Sequence, residues 1–386
     1  MTEQVPAKSK LFFPNLDGLR FFCFLIVFLY HCNETIFKRI ANDDIRNTLH
    51  FIFQNGNAGV NIFFVLSGFL ITMLLVREKE FQGTISLKNF YLRRMLRIWP
   101  LFYLCIFLGF FVFPFYKYHA VMVPEEHSNF YYYLFFAGNF DLIRIWPKLP
   151  DALTLVVLWS VAVEEQFYLT WPVFIKYINR KMYPVLFAAI IIFTLVFRWF
   201  HTGHTDADYG IRYFHTFSVI GDMALGGMIA WYCSYDSPLL RFIKNMRRWQ
   251  IILLYILTLV VILYKKVIFY DALPLTFERL VLAILFAFII AEQNYAEHSF
   301  FKFSKFRTIS KLGIYTYGLY CLQFIGIILV QQLGEKMGFD FKTLPQALTA
   351  CLLALIFTIA ISMSSYHLFE KHFLKLKDRF AFIVKK

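Results

Sequence analysis

Residues 57–76 read NAGVNIFFVLSGFLITMLLV and contain no charged side chain. About 20 consecutive apolar residues form a helix long enough to cross the hydrocarbon core of a bilayer, so this run predicts a membrane-spanning helix. The whole chain has the same character, because 59% of its 386 residues are hydrophobic and 17% are charged. Soluble domains contain about 45–50% apolar and about 25% charged residues. The composition therefore indicates an integral membrane protein.

Nine further segments are apolar enough to be spans, and the one nearest the N-terminus is weak. They cover roughly 14–33, 97–116, 153–176, 183–200, 213–232, 249–265, 272–292, 312–332 and 346–367. No polar or Pro/Gly/Ser-rich linker divides the chain. We therefore predict an all-α polytopic membrane bundle of about ten transmembrane helices. It forms a single domain over residues 1–386, with its core at about 14–377.

Positive charge is concentrated in the loops on the same side as the N-terminus. Each of those connecting loops holds at least as many Lys and Arg residues as any loop on the other side. Cytoplasmic loops carry this excess, so we expect both termini in the cytoplasm and the chain in the inner (cytoplasmic) membrane. The net charge of +14 lies between apolar runs rather than in one stripe. This distribution favours membrane lipids over nucleic acid as a partner.

Six cysteines are scattered mostly inside apolar runs. They form no C-x-x-C pair and have no spacing typical of a zinc site, so we predict packing residues and no metal. Two connecting stretches, 34–56 and 84–98, have apolar residues near helical spacing beside charged ones. We expect the first to be an amphipathic helix on the outer face. The second should be an interfacial helix that leads into the third span.

The first span reaches membrane length only if three ionisable residues enter it. Its strictly apolar stretch covers only Phe21 to Tyr30, whereas Asp17, Arg20 and His31 flank that stretch. Ionisable side chains inside a membrane are costly and are commonly functional. Arg20 and His31 are eleven residues apart, which places them on one helix face about 16 Å apart along the axis. Imidazole exchanges protons near neutral pH, although an interfacial histidine with no catalytic role fits the same position.

Other spans also contain polar residues that need an explanation. Glu164 and Glu165 lie in the middle of the fourth predicted span, and Asp222 lies in the sixth. Carboxylates at this depth need a partner or a wet cavity, so structural ion pairs and a functional site remain alternatives. Ser67, together with neighbouring glycines in the second span, is typical of close helix contact. We keep it as a further candidate.

Three arginines occur together at the start of the third span. Arg93, Arg94 and Arg97 lie within residues 84–98. Guanidinium groups match phosphate oxygens two at a time, so the cluster is a candidate binding site for a phosphorylated cofactor. Attraction to anionic lipid head groups is the alternative.

The order of these motifs resembles that of the membrane-bound acyltransferase 3 family over about residues 14–377. The segments NLDGLRFFCFLIVFLYH, GNAGVNIFFVLSGFLIT, FYLRRMLRIWPLFYL and LWSVAVEEQFYLTWP follow one another. Arg20 to His31 matches the family's R-x10-H pattern, and Arg94 to Arg97 matches its R-x-x-R motif. TYGLYCLQ, which contains Tyr320, and SYHLFEKHFLKLK are similar to two C-terminal motifs of the family.

The resemblance implies an acyl-CoA-dependent O-acyltransferase. Such a protein takes an acyl group, usually acetyl, from cytoplasmic acyl-CoA as co-substrate and needs no permanently bound cofactor. The acceptor is a hydroxyl of a surface or secreted glycan, or of a lipid-linked sugar. His31 matches the catalytic histidine, and Arg20, Arg94 and Arg97 match functional arginines. Gln323 stands where many members have His, which puts a second catalytic histidine in doubt, and His372 stands where Pro is common.

These observations lead to a mechanistic hypothesis. The phosphates of acyl-CoA lie near the arginine cluster, and His31 acts either as general base or as transient acyl carrier. Asp17 (through Arg20) or Glu165 sets the protonation state of the imidazole. Two other classes of protein remain. A transporter or flippase of a lipid-linked sugar would use the buried carboxylates in an ion-coupled cavity, and a non-catalytic membrane protein would use none of these groups.

Overall fold

The computed structural model describes residues 13–119 and 127–380, which form helices with no strand among them. The α-helices are α1 (Pro14–Thr35), α2 (Asp43–Phe53), α3 (Ala58–Gln82), α4 (Leu87–Phe107), α5 (Phe113–His119), α6 (Phe130–Leu134), α7 (Gly138–Ile145), α8 (Leu153–Val156), α9 (Leu158–Tyr177), α10 (Tyr183–Trp199), α11 (Asp206–Phe214), α12 (Thr216–Cys233), α13 (Pro238–Lys244), α14 (Arg248–Leu263), α15 (Lys265–Ile268), α16 (Ala272–Tyr295), α17 (Arg307–Leu312), α18 (Thr316–Lys336), α19 (Leu344–Ser365) and α20 (Lys371–Lys377). One π-helical turn, Leu108–Val112, follows α4, and a second, Tyr366–Glu370, follows α19.

All ten predicted spans fall on helices. Among the described residues, eight helical stretches are long and apolar enough to cross a membrane, and a ninth qualifies if α13 and α14, bent by 98°, count as one span. The remaining predicted span corresponds to α12, a continuous 18-residue helix whose apolar sequence contains the charged residue Asp222. The protein is therefore a multi-pass, all-helical membrane protein, and the number ten stays a prediction.

The closest helix contact in this part of the chain uses glycine, as the small residues of the second span predict. A Cβ atom added at Gly68 of α3 would lie 1.9 Å from the carbonyl oxygen of Met223 in α12. From the other side, a Cβ at Gly226 would lie 2.0 Å from the carbonyl oxygen of Val65. The two backbones can approach this closely only because both positions lack a side chain. This contact fixes α12 against α3 in the centre of the bundle.

Helix α1 lies inside the bundle rather than at its lipid-facing edge. It packs against α3, α17 and α18, and Phe24, Phe28 and Cys32 are fully buried. A Cβ added at Gly313, just after α17, would lie 2.0 Å from the carbonyl oxygen of Asp17. This weakly apolar span is therefore held by protein, which explains how it can carry ionisable residues.

Loops predicted on the same side of the membrane contact one another. At one end, the Nζ atom of Lys79 donates to the carbonyl of Ile175 at 2.8 Å. At the other end, Arg39 pairs with Glu335 at 2.6 Å. This grouping agrees with the alternation of loops that the sequence predicts. The assignment of the first end to the cytoplasm stays a prediction.

The two amphipathic stretches are helical. Helix α2 lies within 34–56, as predicted, and the side chain of Asn42 accepts a hydrogen bond at its start. Residues 87–98 are helical and lead into the third span, as predicted, because α4 runs through both without a break. The stretch contains no Gly or Pro that would end a helix. The six cysteines are buried and unpaired.

Candidate functional site

Polar side chains from four helices meet inside the bundle, beside the first turns of α1. We call this group the polar cluster. It consists of Asp17 and Arg20 of α1, Ser67 of α3, Arg94 and Arg97 of α4, and Glu164, Glu165 and Tyr168 of α9. Arg20 Nη1 lies 2.7 Å from Asp17 Oδ1, which confirms the pair expected from their spacing of three residues. Arg97 and Tyr168 lie within electrostatic reach of Arg20.

Glu164 is held by two hydroxyl groups. Ser67 Oγ donates to Glu164 Oε1 at 2.8 Å, and Tyr168 Oη lies 3.1 Å from Oε2. Tyr168 Oη is also 3.0 Å from Ser67 Oγ. Ser67 is therefore a hydrogen-bonding residue as well as a small one. Tyr168 was missed in the sequence, although it follows Glu164 by four residues and so lies on the same helix face.

Glu165 has one oxygen that no protein group satisfies. Trp99 Nε1 donates to Glu165 Oε2 at 2.9 Å, whereas Oε1 is buried and has no hydrogen-bond partner in the described part of the chain. Neither Glu165 nor Glu164 has a cationic nitrogen within 4 Å among the described residues. Structural ion pairs of that kind therefore do not account for the two carboxylates. An unsatisfied buried oxygen is a place where a ligand or water can donate a hydrogen bond.

The three neighbouring arginines have different surroundings. The guanidinium of Arg94 lies over the ring of Tyr168, 5.4 Å from its centroid, and its buried Nε atom has no partner among the described residues. Arg97 is exposed. Arg93 Nη2 instead pairs with Glu78 at 2.8 Å, and its Nη1 donates to the carbonyl of Phe380. Arg94 and Arg97 thus belong to the polar cluster, whereas Arg93 ties α4 to α3 and to the C-terminal segment.

His31 faces the interior of the bundle at the other end of α1. Its ring packs on that of Phe324 in α18, with 4.5 Å between centroids. One turn earlier in α18, Tyr320 Oη lies 2.8 Å from Ser160 Oγ of α9. Ser160 precedes Glu164 by one helical turn. These contacts connect the imidazole to the polar cluster through α18 and α9, and they place the candidate Tyr320 between the two.

No hydrogen bond links His31 to the carboxylates suggested as its partners. Within the described residues the imidazole nitrogens have no hydrogen-bond partner, Asp17 bonds Arg20, and Glu165 bonds Trp99. Arg20 and His31 lie on one continuous helix, with about 16 Å of axial rise between them. The role of either carboxylate in setting the protonation state of His31 stays a prediction.

A cavity of about 580 Å³ opens at the end of α1 that carries His31, where Tyr30 and Glu34 line it. We call it the aromatic cavity. It is lined by Tyr30, Glu34, His50, Gln54, Asn55, Asn57, Asn61, Arg198, His204, Tyr209, Arg212, Tyr213, Lys265, Lys266, Phe269, Tyr270, Leu275, Glu278 and Arg279. The ring of Tyr30 lies 5.1 Å from that of His31, so the imidazole adjoins a residue of the cavity wall.

Asp222 does not join the polar cluster. It forms a buried ion pair with Arg279 of α16, and the guanidinium of Arg279 lies 5.8 Å from the ring centroid of Phe64. Asp222 therefore has the partner that its depth requires. Since Arg279 lines the aromatic cavity, the pair supports the wall of that cavity.

Comparison with known proteins supports the same family. The sequence model of an acyltransferase domain, acyltransferase 3, matches residues 13–363. The peptidoglycan O-acetyltransferase OatA of Listeria monocytogenes is 31% identical over 48% of this chain and 28% of its own length. A Staphylococcus aureus protein named "Putative O-acetyltransferase" is 28% identical over 58% of this chain and 35% of its own. The chain therefore spans about a third or less of these curated relatives. No solved structure matches it.

Proposed function

This chain belongs to the acyltransferase 3 family, and on that premise we propose that it transfers an acetyl group from cytoplasmic acyl-CoA to a hydroxyl of a cell-surface or exported glycan. The relative from Listeria is named for peptidoglycan, which makes peptidoglycan the first acceptor to test. The protein would act in the inner (cytoplasmic) membrane, with both termini on the side of the donor.

One structural observation carries the proposal. Helix α1 joins the polar cluster, which can bind a phosphorylated donor, to His31, which lies beside a cavity large enough for an acceptor. The two ends are connected inside the protein by the hydrogen bond between Ser160 and Tyr320 and by the contact between Phe324 and His31. A donor and an acceptor on opposite sides of a membrane need such an internal connection.

The donor end supplies cations for a CoA phosphate. Arg94 and Arg97 bind phosphate oxygens through paired N–H groups, a geometry that lysine lacks. Arg93 supports the position of α4 by its bond to Glu78, so its contribution to binding is indirect. The buried Oε1 atom of Glu165 accepts a hydrogen bond from the donor or from a water molecule. The polar cluster thus holds the donor without any metal ion among its proposed groups.

The chemical step is proposed at the imidazole of His31. As general base, it takes the proton of the acceptor hydroxyl while that oxygen attacks the thioester carbonyl. The tetrahedral intermediate then releases the CoA thiolate, which recovers the proton from the imidazolium. As a carrier, the imidazole nitrogen instead attacks the thioester carbonyl, and the CoA thiolate leaves and takes the proton of the other ring nitrogen. The acceptor hydroxyl then attacks the acetyl-imidazole, and its proton returns to the released imidazole. Both routes need a neutral imidazole.

Mass spectrometry of cell-surface glycans tests this function. We expect acetyl esters on the glycan in cells that contain the protein and their loss after deletion, with recovery when the wild-type chain is restored. Unchanged acetylation after deletion would contradict the proposal. Movement of a lipid-linked sugar without acetylation would instead support the transporter or flippase. If deletion changed neither acetylation nor sugar movement, the non-catalytic protein would remain.

A further inference from the structure

We propose that the aromatic cavity is the acceptor site and that its ligand is an anionic sugar, a glycan unit that carries a carboxylate or a phosphate group. This inference rests on the proposed function and adds to it the chemical class of the acceptor. The first argument is position. Tyr30 lines the cavity, and its ring lies 5.1 Å from the imidazole of His31. The volume of about 580 Å³ is within the usual range of about 300–1,000 Å³ for small-molecule sites.

The second argument is the arrangement of flat aromatic rings. The rings of Tyr209 and Tyr213 are stacked, with centroids 5.7 Å apart and an interplanar angle of 6°. Trp146 stacks on Tyr209, with 5.1 Å between centroids. Tyr270, which also lines the cavity, stacks on His204 at 5.2 Å. The C–H faces of sugar rings pack well on aromatic surfaces, and the phenol groups offer hydrogen bonds at the ring edge.

The third argument is an amide that lacks a partner. Asn61 of α3 is only 6% exposed, lines the cavity, and has no hydrogen bond to any described residue. Burial of an amide costs free energy unless its donors and acceptor are satisfied. Asn61 can donate two hydrogen bonds and accept two more. Pairs of sugar hydroxyls match that capacity.

The fourth argument is charge. Five cationic side chains but only two carboxylates line the cavity. Glu278 is shared between Arg198, at 3.4 Å, and Lys265, at 3.2 Å. Arg212 donates to backbone carbonyls, and Lys266 forms no ion pair with a described residue. Asp222 neutralises Arg279, and the other four cations face only Glu34 and Glu278, so two positive charges remain in excess on the cavity wall. A neutral sugar leaves this surplus in place, whereas an anionic sugar compensates it.

Binding of matched oligosaccharides to the purified full chain in detergent, without acyl-CoA, tests the inference. The probes are maltotetraose, a phosphorylated maltotetraose and tetragalacturonic acid. We expect at least one anionic probe to bind about three- to tenfold more tightly than the neutral one at low salt, because exposed and half-buried charge pairs contribute about 1 kcal/mol. The preference should shrink as salt is added. The better anionic probe identifies carboxylate or phosphate as the group recognised. Equal affinity for all three would overturn the assignment.

Two variants locate the effect. Lys266→Gln should reduce the anionic preference about two- to fivefold and leave maltotetraose binding unchanged, because Lys266 is exposed and supplies only charge. Lys311→Gln, at an exposed lysine of α17 outside the cavity, is the control and should change neither. An equal loss of the anionic preference in Lys266→Gln and Lys311→Gln would also overturn the assignment. The binding assay contains no acyl-CoA, so its result does not depend on acetyl transfer. If the chain binds anionic sugars selectively but no glycan is acetylated, only the proposed transferase activity is rejected. If glycan is acetylated but binding is not selective, only this acceptor site is rejected.

Discussion

Ser67 Oγ of α3 donates a 2.8 Å hydrogen bond to Glu164 Oε1 of α9. The bond joins a hydroxyl in the most apolar predicted span to a carboxylate in the middle of another span. Tyr168 completes the group through contacts of about 3 Å with both residues. The carboxylate of Glu164 is held by two neutral hydroxyls, and the cations near it are not bonded to it. Its hydrogen bonds can therefore rearrange when a charged ligand binds.

Removal of that hydroxyl should affect the site more than the fold. Ser67→Ala should destabilise the protein by about 1–3 kcal/mol, because the buried Glu164 loses one donor, and it should reduce acetyl transfer. Thermal unfolding in detergent and the transfer rate are measured on the same preparation. Ser237→Ala, which removes a buried hydroxyl that donates to the carbonyl of Tyr232 instead, is the matched control. Equal loss of transfer in both variants would show that Ser67 has no special role.

Substitution of Arg97 should weaken donor binding, whereas substitution of Arg93 should lower stability. Arg97→Gln should weaken acetyl-CoA binding about three- to tenfold, since an exposed guanidinium contributes about 1 kcal/mol to a phosphate contact. Its unfolding midpoint should not change. Equilibrium binding of acetyl-CoA to the detergent-purified chain measures the first effect. An unchanged Kd would assign Arg97 to lipid head groups.

Arg93→Gln should show the opposite behaviour. Glu78 is 1% exposed, and loss of its partner leaves a buried carboxylate with insufficient compensation. We expect a loss of about 3 kcal/mol of stability, measured as a lower unfolding midpoint. The fraction that stays folded should bind acetyl-CoA with wild-type affinity. A large loss of affinity in a stable Arg93 variant would mean that this guanidinium contacts the donor directly.

Close packing of α3 on α12 makes a separate prediction. Gly68→Ala places a methyl group 1.9 Å from the carbonyl oxygen of Met223, so the helices must separate at a cost of about 1–3 kcal/mol. Gly318→Ala is the matched control, because a Cβ there meets its nearest atoms at 3.4 Å, an ordinary contact. The two unfolding midpoints are compared in one detergent. Equal midpoints would mean that the contact between α3 and α12 is not as close as described.

The sequence predicted the spans better than the connections between them. Long apolar runs locate helices because lipid leaves the backbone no other partner than itself, and all ten predicted segments are helical. The amphipathic stretch 84–98 was predicted to lead into the third span, and α4 forms one continuous helix through both. The pairing of Asp222 with Arg279, 57 residues apart, depends on which helices are neighbours. Local patterns in the sequence do not contain that information.

The candidate site shows the same division. The pair of Asp17 and Arg20 was predictable because both residues lie on one helix at a spacing of three. The bond from Ser67 to Glu164 was not, because it joins separate spans. The aromatic cavity was also beyond prediction, since its lining is brought together from helices that are far apart in sequence, among them α1, α3, α11 and α16, and from the loops between helices. Arg93 was grouped with Arg94 and Arg97 by proximity in sequence, but a helix turns neighbouring residues to different faces.

Acetyl transfer in reconstituted vesicles tests the central claim most directly. Labelled acetyl-CoA and a glycan acceptor are placed on opposite sides of vesicles that contain the wild-type chain, His31→Ala, or the control His298→Ala, whose histidine is exposed. The account predicts labelled glycan with the wild-type chain and the control, and only background label with His31→Ala, although that variant still binds acetyl-CoA. Transfer at the wild-type rate by a correctly inserted His31→Ala protein would contradict it.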